Sequence, residues 1–377
     1  MADFSPIIEY IEKTLITEKK VPGCDLKIMR GHETLLRYSS GVRDYKAIQP
    51  IRNDDIYMMY SCTKPMTCAA AMQLVERGII GLDDPVYKYL PAFRNAFLIK
   101  DGIPVAPRNT MTVRHLFTMS AGLDYNRDRQ PIRDVIAANP HAGTVDLVNA
   151  LIASPLQFEP GEKFLYSMCH DVLAAVVEVA SGKRFSEYMR ENIWEPLGMK
   201  DTSFVLPENQ QHRLVALYEC DRPGHYFPFT DYSEFNLTDR CESGGGGLYS
   251  TVDDYSLFAD AMACGGKGIT GIQILKPETI DLMRTDQLGS YVMDTRFGCA
   301  AGPGYGYGLG VRTLIDQSQS KSSLGEFGWD GAAGSYVMMD PKYALSIFFA
   351  MHVRGWPTLI GCGHAPIRDM TYSILGL

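Results

Sequence analysis

Tyr60-Ser61-Cys62-Thr63-Lys64-Pro65-Met66-Thr67-Cys68-Ala69-Ala70-Ala71-Met72-Gln73-Leu74 is the stretch around which the chain is read. From Met66 to Arg77 it is rich in good helix formers, and Gly78 follows as a residue suited to the left-handed turn that closes a helix. Ser61 and Lys64 therefore fall on the first turn. Pro65 fits there, because the early N–H groups of a helix lack intrahelical acceptors. Side chains three apart share a face, so the Lys64 amine reaches the Ser61 hydroxyl. A hydroxyl becomes a nucleophile when a desolvated lysine, or a phenol beside one, takes its proton, and a helix N-terminus offers N–H groups to an oxyanion. An isolated Ser-x-x-Lys is more often a helix cap beside a solvated lysine. Ser318-Gln319-Ser320-Lys321 matches the same pattern with no helix to start, so the first match is judged by its company.

The 377 residues carry a net charge of −8 with scattered basic residues, which argues against a surface tracking nucleic-acid phosphates and against a polybasic membrane patch. The start, Met1-Ala2-Asp3-Phe4-Ser5-Pro6, has neither a basic nor an apolar export region, and no apolar run is long enough to span a bilayer, so a cytoplasmic location is expected. The nine cysteines form no C-x-x-C pair, and reduced thiols are the simplest account. Cys62 and Cys169 flank the site, Cys62 pointing about a hundred degrees away from Ser61 as a packing residue, and Cys362-Gly363-His364 lacks a companion cluster that would make it a metal site. No cofactor is expected. The partners expected are small-molecule esters or amides, with the oligomeric state open.

Phe4 to Lys20 carries a helical apolar stripe, and strands at Asp25–Met29 and Glu33–Tyr38 flank a hairpin at Arg30-Gly31-His32. Helical patterns recur at Val145–Ala153, Asp171–Ser181 and Phe185–Trp194. Leu206 to Arg240 reads as an irregular aromatic wall, including His225-Tyr226-Phe227-Pro228-Phe229. Gly244 to Gly247 lack the Lys-Ser/Thr ending of a phosphate cradle. A helix starts near Val252. Strand signals return at Gly306–Val311, Glu326–Gly328, Gly334–Met339 and Tyr343–Ala350, and Pro366–Leu375 closes with a helix. The expected class is α+β: an antiparallel sheet flanked by N- and C-terminal helices, from residues 1–60 and 241–377, with an all-helical lobe inserted over 61–240 and an irregular wall near 206–240.

Ser61-Cys62-Thr63-Lys64-Pro65, Leu82-Asp83-Asp84-Pro85-Val86 with Tyr89-Leu90-Pro91, Thr112–Leu123, Phe158-Glu159-Pro160-Gly161 before Tyr166-Ser167, Glu195-Pro196-Leu197-Gly198-Met199 and Gly244–Ser250 occur in order. In these the chain resembles the serine β-lactamase and penicillin-binding-protein superfamily, in its class C β-lactamase-like branch with family VIII carboxylesterases and statin side-chain acyltransferases. The resemblance implies Ser61 as nucleophile, Lys64 as first proton acceptor or the group that tunes it, and Tyr166 as second base, its phenolate favoured by the Lys64 cation. It further implies an oxyanion hole from the Ser61 and Ala332 N–H groups.

Two departures bear on substrate. Class C β-lactamases use Tyr-x-Asn where this chain has Tyr166-Ser167-Met168, and Lys-Thr-Gly where it has Trp329-Asp330-Gly331. Met168, Trp329, Asp330 and Gly331 are thus the expected substrate-binding residues, offering apolar area and negative charge in place of an amide and a cation. The implied function is a serine hydrolase forming an acyl-enzyme with esters. The alternatives are an acyltransferase passing the acyl group to an alcohol or amine, a β-lactamase, a D-amino-acid amidase or peptidase, or a non-catalytic binder of acylated ligands.

Overall fold

A computed structural model describes residues 2–232, 234–289, 303–355 and 360–377; of the nine cysteines, Cys299 lies outside them. An eight-stranded antiparallel sheet runs in the order Tyr305–Tyr307, Arg312–Leu314, Phe327–Asp330, Tyr336–Asp340, Leu345–Met351, Gly23–Arg30, Glu33–Asp44, Gln49–Pro50. The first and last thirds of the chain therefore meet in one sheet, with Leu26 opposite Phe349 and Ile28 opposite Ile347. Successive side chains on a strand point to opposite faces. Ile347 and Phe349 join Ile7, Ile11, Leu15, Ile367 and Tyr372 of the terminal helices, whereas Phe348 and Ala350 face the larger core around the site. Both faces are covered, which is why every residue of Leu345–Met351 is buried.

The expected N-terminal helix is α-helical over Ser5–Tyr10 and continues as a π-helix over Ile11–Glu18. The closing helix spans Ala365–Leu375. Between the two halves of the sheet lie helices at Thr63–Glu76, Gln130–Ala138, Thr144–Ala150, Cys169–Ser181 and Phe185–Met189. This region is not all-helical as expected, because Leu98–Lys100 pairs with Ile103–Val105 in a small hairpin whose exposed residues carry no strong period. Two further readings are corrected. Gly306–Val311 is not one strand: Gly306 and Tyr307 end the Tyr305–Tyr307 strand and residues 308–311 turn into the next, since Gly308 and Gly310 pack where a side chain would collide with the Met283 carbonyl and the Cys68 thiol. His225–Phe229 is not irregular: it pairs with Leu217–Arg222, which in turn runs parallel to Val353–Arg354. Pro228 hides a strand that the backbone nonetheless forms at an outer edge, where a missing N–H costs nothing. Among the described residues no helix is long and apolar enough to cross a membrane.

The sheet reaches the Ser61 region through the Val252–Ala263 helix. Phe348 stacks on Tyr255 at 4.2 Å, and the Tyr255 hydroxyl bonds the Cys62 carbonyl at 2.5 Å. Phe348→Ala removes a fully buried ring from this link and is expected to cost about 3–5 kcal/mol, seen as a lowered urea midpoint. Ile48→Ala, on a side chain 76% exposed, is expected to move stability by no more than about 0.5 kcal/mol.

Candidate active site

The turn that carries Ser61 is built before the helix begins. Ile56–Met58 pairs with Tyr249–Thr251, and the Met59 N–H donates to the Leu248 carbonyl (2.8 Å). Tyr60 then adopts a left-handed backbone, φ 49°, and the Cys62 N–H closes the turn onto the Met59 carbonyl (3.1 Å). A bulky residue held there costs of the order of 1–3 kcal/mol, maintained by its surroundings. Here these include the Ser335 hydroxyl on the Met59 carbonyl (3.0 Å) and the packing of Tyr60 on Phe235. Tyr60–Cys62 forms one 3-10 turn and Thr63–Glu76 continues as α-helix. Ser61 keeps 9% of its surface open at the head of an otherwise buried helix.

Two side chains meet on the Ser61 hydroxyl oxygen. Lys64 Nζ donates to Ser61 Oγ (3.0 Å), and the Tyr166 hydroxyl donates to the same oxygen (2.7 Å). The fully buried Lys64 amine also donates to the Gly245 carbonyl (2.5 Å) and the Tyr125 hydroxyl (3.3 Å), and lies 4.6 Å from the Tyr166 ring centre. Gly245 can approach because it lacks a side chain: a Cβ there would stand 2.5 Å from the Asp171 carboxylate. Gly244, Gly246 and Gly247 are equally confined, by the His170 carbonyl, Phe235 and Asn236. The four glycines are thus a wall pressed against the lysine, and the Gly244 carbonyl accepts from the Thr67 hydroxyl (2.8 Å) one helix turn further on.

Tyr166 is the middle ring of an aromatic stack. Tyr125 lies parallel to it at 5.4 Å, and Trp329 at 5.6 Å on the other side. The Trp329 indole N–H donates to the Tyr166 hydroxyl (3.2 Å). Burial of that hydroxyl pushes the phenol well up, with Tyr125 adding to the rise, against hydrogen bonds from Ser61 and Trp329 that pull it down.

The expected substrate-binding residues do not all face a ligand. Asp330 turns into the sheet, where Arg312 donates to it (2.8 Å); burial raises its carboxyl to about 6 despite the guanidinium. It presents no free negative charge, which corrects that expectation. Trp329 is buried, and its polar contact is the indole N–H on the Tyr166 hydroxyl. Met168 is buried at the start of the Cys169–Ser181 helix, its N–H on the Asp124 carbonyl (3.1 Å). Gly331 lies beneath Ser335 and the Met59 carbonyl, and the turn it opens leaves Ala332 exposed beside the site. Burial pushes both Cys62 and Cys169 up to about 12, in keeping with packing roles. His364 is buried against Tyr336 and bonds the Gly334 carbonyl (3.1 Å) rather than joining Cys362. Lys321 bonds Ser373 (2.6 Å), so the second Ser-x-x-Lys brings no lysine to its serine.

Tyr125 and the Gly245 carbonyl were not anticipated. Tyr125 stands two residues beyond the Thr112–Leu123 segment, and the only signal was an aromatic after Gly122-Leu123-Asp124. A backbone carbonyl leaves no signal beyond the glycines themselves. The wall from Leu206 to Arg240 is fastened by Glu234, which accepts from Arg127 (2.6 Å) and Arg354 (2.8 Å), with Arg127 over Phe235.

The Beta-lactamase family profile matches residues 8–359. Protein Rv1367c of Mycobacterium tuberculosis (strain ATCC 25618 / H37Rv) is 30% identical over 399 aligned positions, covering 94% of this chain and 97% of that protein. Esterase EstB of Burkholderia gladioli is 29% identical, covering 95% and 92%. Among solved structures, EstCE1, a hydrolase with promiscuous acyltransferase activity, superposes with a TM-score of 0.82 at 26% identity over 98% of both chains.

Tyr125→Phe keeps the stacked ring and removes one acceptor from the buried amine. Ester turnover is expected to fall about 5- to 30-fold, the effect of one hydrogen bond of roughly 1–2 kcal/mol, with an unchanged circular dichroism spectrum.

Proposed function

Because this chain belongs to the beta-lactamase family, we propose that Ser61 is its nucleophile, with Lys64 and Tyr166 moving the protons. The protein is a serine hydrolase or acyltransferase acting on esters. The observation that carries the residue assignment is the double contact on Ser61 Oγ, from Lys64 at 3.0 Å and Tyr166 at 2.7 Å.

In its neutral form Lys64 keeps two N–H donors for the Gly245 carbonyl and the Tyr125 hydroxyl and turns its lone pair to Ser61, whose proton it takes as Oγ attacks the ester carbonyl. The oxyanion rests on the N–H groups of Ser61 and of Ala332 in the exposed turn. As the tetrahedral intermediate collapses, Tyr166 gives its proton to the departing alkoxide and becomes a phenolate beside the new Lys64 ammonium, stabilised by the Trp329 N–H. The phenolate then takes a proton from water, the hydroxide opens the acyl-enzyme, and Lys64 returns its proton to Ser61. All groups end as they began.

Small neutral acyl esters suit this site better than anionic β-lactams. The strand beside it carries an indole where a lysine would hold a substrate carboxylate, and the Asp330 charge is spent on Arg312. Transfer to an alcohol instead of water is a second reading, supported by the likeness to EstCE1.

Ser61→Ala is expected to lower p-nitrophenyl butyrate hydrolysis by at least about 10³-fold and to abolish the acyl adduct seen by intact-mass spectrometry. Wild-type turnover in that variant would overturn the assignment. With the native enzyme, nitrocefin turnover is expected to lie far below ester turnover; comparable rates would restore β-lactams as substrates. Trp329→Phe keeps the stack but withdraws the donor that stabilises the Tyr166 phenolate. The alkaline shift this produces in the pH profile of deacylation identifies Tyr166 as the base; an unmoved profile would count against it.

A further inference from the structure

We propose that His32, Asp260 and Cys264 form a zinc-binding site where the first hairpin meets the C-terminal end of the Val252–Ala263 helix. The ligand atoms of all three residues lie within 4.8 Å of one another. His32 Nδ1 is 2.6 Å from Asp260 Oδ2, the His32 N–H donates to Asp260 Oδ1 (3.1 Å), and Cys264 Sγ is 3.8 Å from Asp260 Oδ1.

The backbone is arranged to bring them together. Asp260 and Cys264 stand four residues apart at the end of one helix and so share a face. His32 comes from the opposite side, at the tip of the hairpin between Gly23–Arg30 and Glu33–Asp44, in a left-handed conformation with φ 72°. A side chain in that region is uncommon, and here it accompanies both the ring and the N–H of His32 meeting one carboxylate. The second observation is the carboxylate itself. Asp260 is fully buried, and a buried carboxylate is paired or coordinates a metal; the groups that meet its oxygens are the ring and N–H of His32 and the Cys264 sulfur, the other two ligands.

An imidazole nitrogen, a carboxylate oxygen and a sulfur together favour zinc over calcium or magnesium, which take oxygen donors. Zinc bonds of about 2.0–2.3 Å in a tetrahedron put ligand atoms roughly 3.3–3.7 Å apart. The present spacing needs His32 and Asp260 to part slightly and Cys264 to move in. Cys264 lines a surface cavity of about 710 Å³ with Gly265, Pro277 and Lys342, so the sulfur side of the cluster opens toward solvent. Burial, with Asp260 adding to it, pushes the Cys264 thiol up to about 11; zinc would form a Zn–S bond and release that proton to solvent. Nine residues of helix, roughly 13 Å, separate Asp260 from the Thr251 cap at the site end. The ion would fasten hairpin to helix and take no part in ester chemistry.

The test uses the full chain after exhaustive chelation. Cobalt(II) titration is expected to give one equivalent bound, with a thiolate-to-cobalt charge-transfer band that zinc removes. Cys264→Ser should abolish the band, and Cys264→Ser and His32→Ala should each weaken zinc binding at least tenfold, measured against a chromophoric chelator, while ester turnover stays at the wild-type level and reports an intact fold. Absence of stoichiometric binding, or binding and a band that both variants retain, would overturn the site.

Discussion

A fully buried lysine amine must find oxygen acceptors, and that requirement organises this protein. Lys64 finds three: the Ser61 hydroxyl, the Tyr125 hydroxyl and the Gly245 carbonyl. Only the first lies on its own helix. The second comes from the loop after Gly122, and the third from a segment 181 residues away. Unmade hydrogen bonds to a buried amine are costly. The glycine wall, the Ile56–Met58 and Tyr249–Thr251 ladder and the left-handed Tyr60 are the means by which these acceptors are held in place. Four consecutive glycines follow from the same need, because any side chain would push the wall away from the amine.

The second constraint acts on the phenol. Tyr166 lies between two aromatic rings, with an indole donor on its oxygen. Stacking fixes the ring, and the donor offsets part of the cost of charging it. The strand that supplies Trp329 places the next residue, Asp330, on the opposite face, where Arg312 absorbs its charge. One strand therefore serves the site with an apolar ring and serves the interior with an ion pair.

Much of this was legible in the residues. The helix from Thr63 to Glu76, its stop at Gly78, the hairpin around Gly31 and the return of the last third to the sheet all follow from local pattern and turn chemistry. The small hairpin at Leu98–Val105 and the strand at His225–Phe229 were not legible. Both are outlying ribbons whose exposed residues and proline mask the strand period, and their pairing partners decide them.

The sequence by itself determined the covalent spacing: Ser61 three residues from Lys64 on one helical face, and four glycines with no room for side chains to differ. It also determined the alternation that separates Trp329 from Asp330. Only the tertiary structure decided which distant groups completed the amine's shell, that Tyr125 rather than a charged residue would stand beside it, and that Tyr166 would lie between two rings with an indole donor on its oxygen. The physical reason is that periodicity and turn chemistry act over a few residues. Desolvation and hydrogen-bond satisfaction depend on every segment that reaches the same point in space.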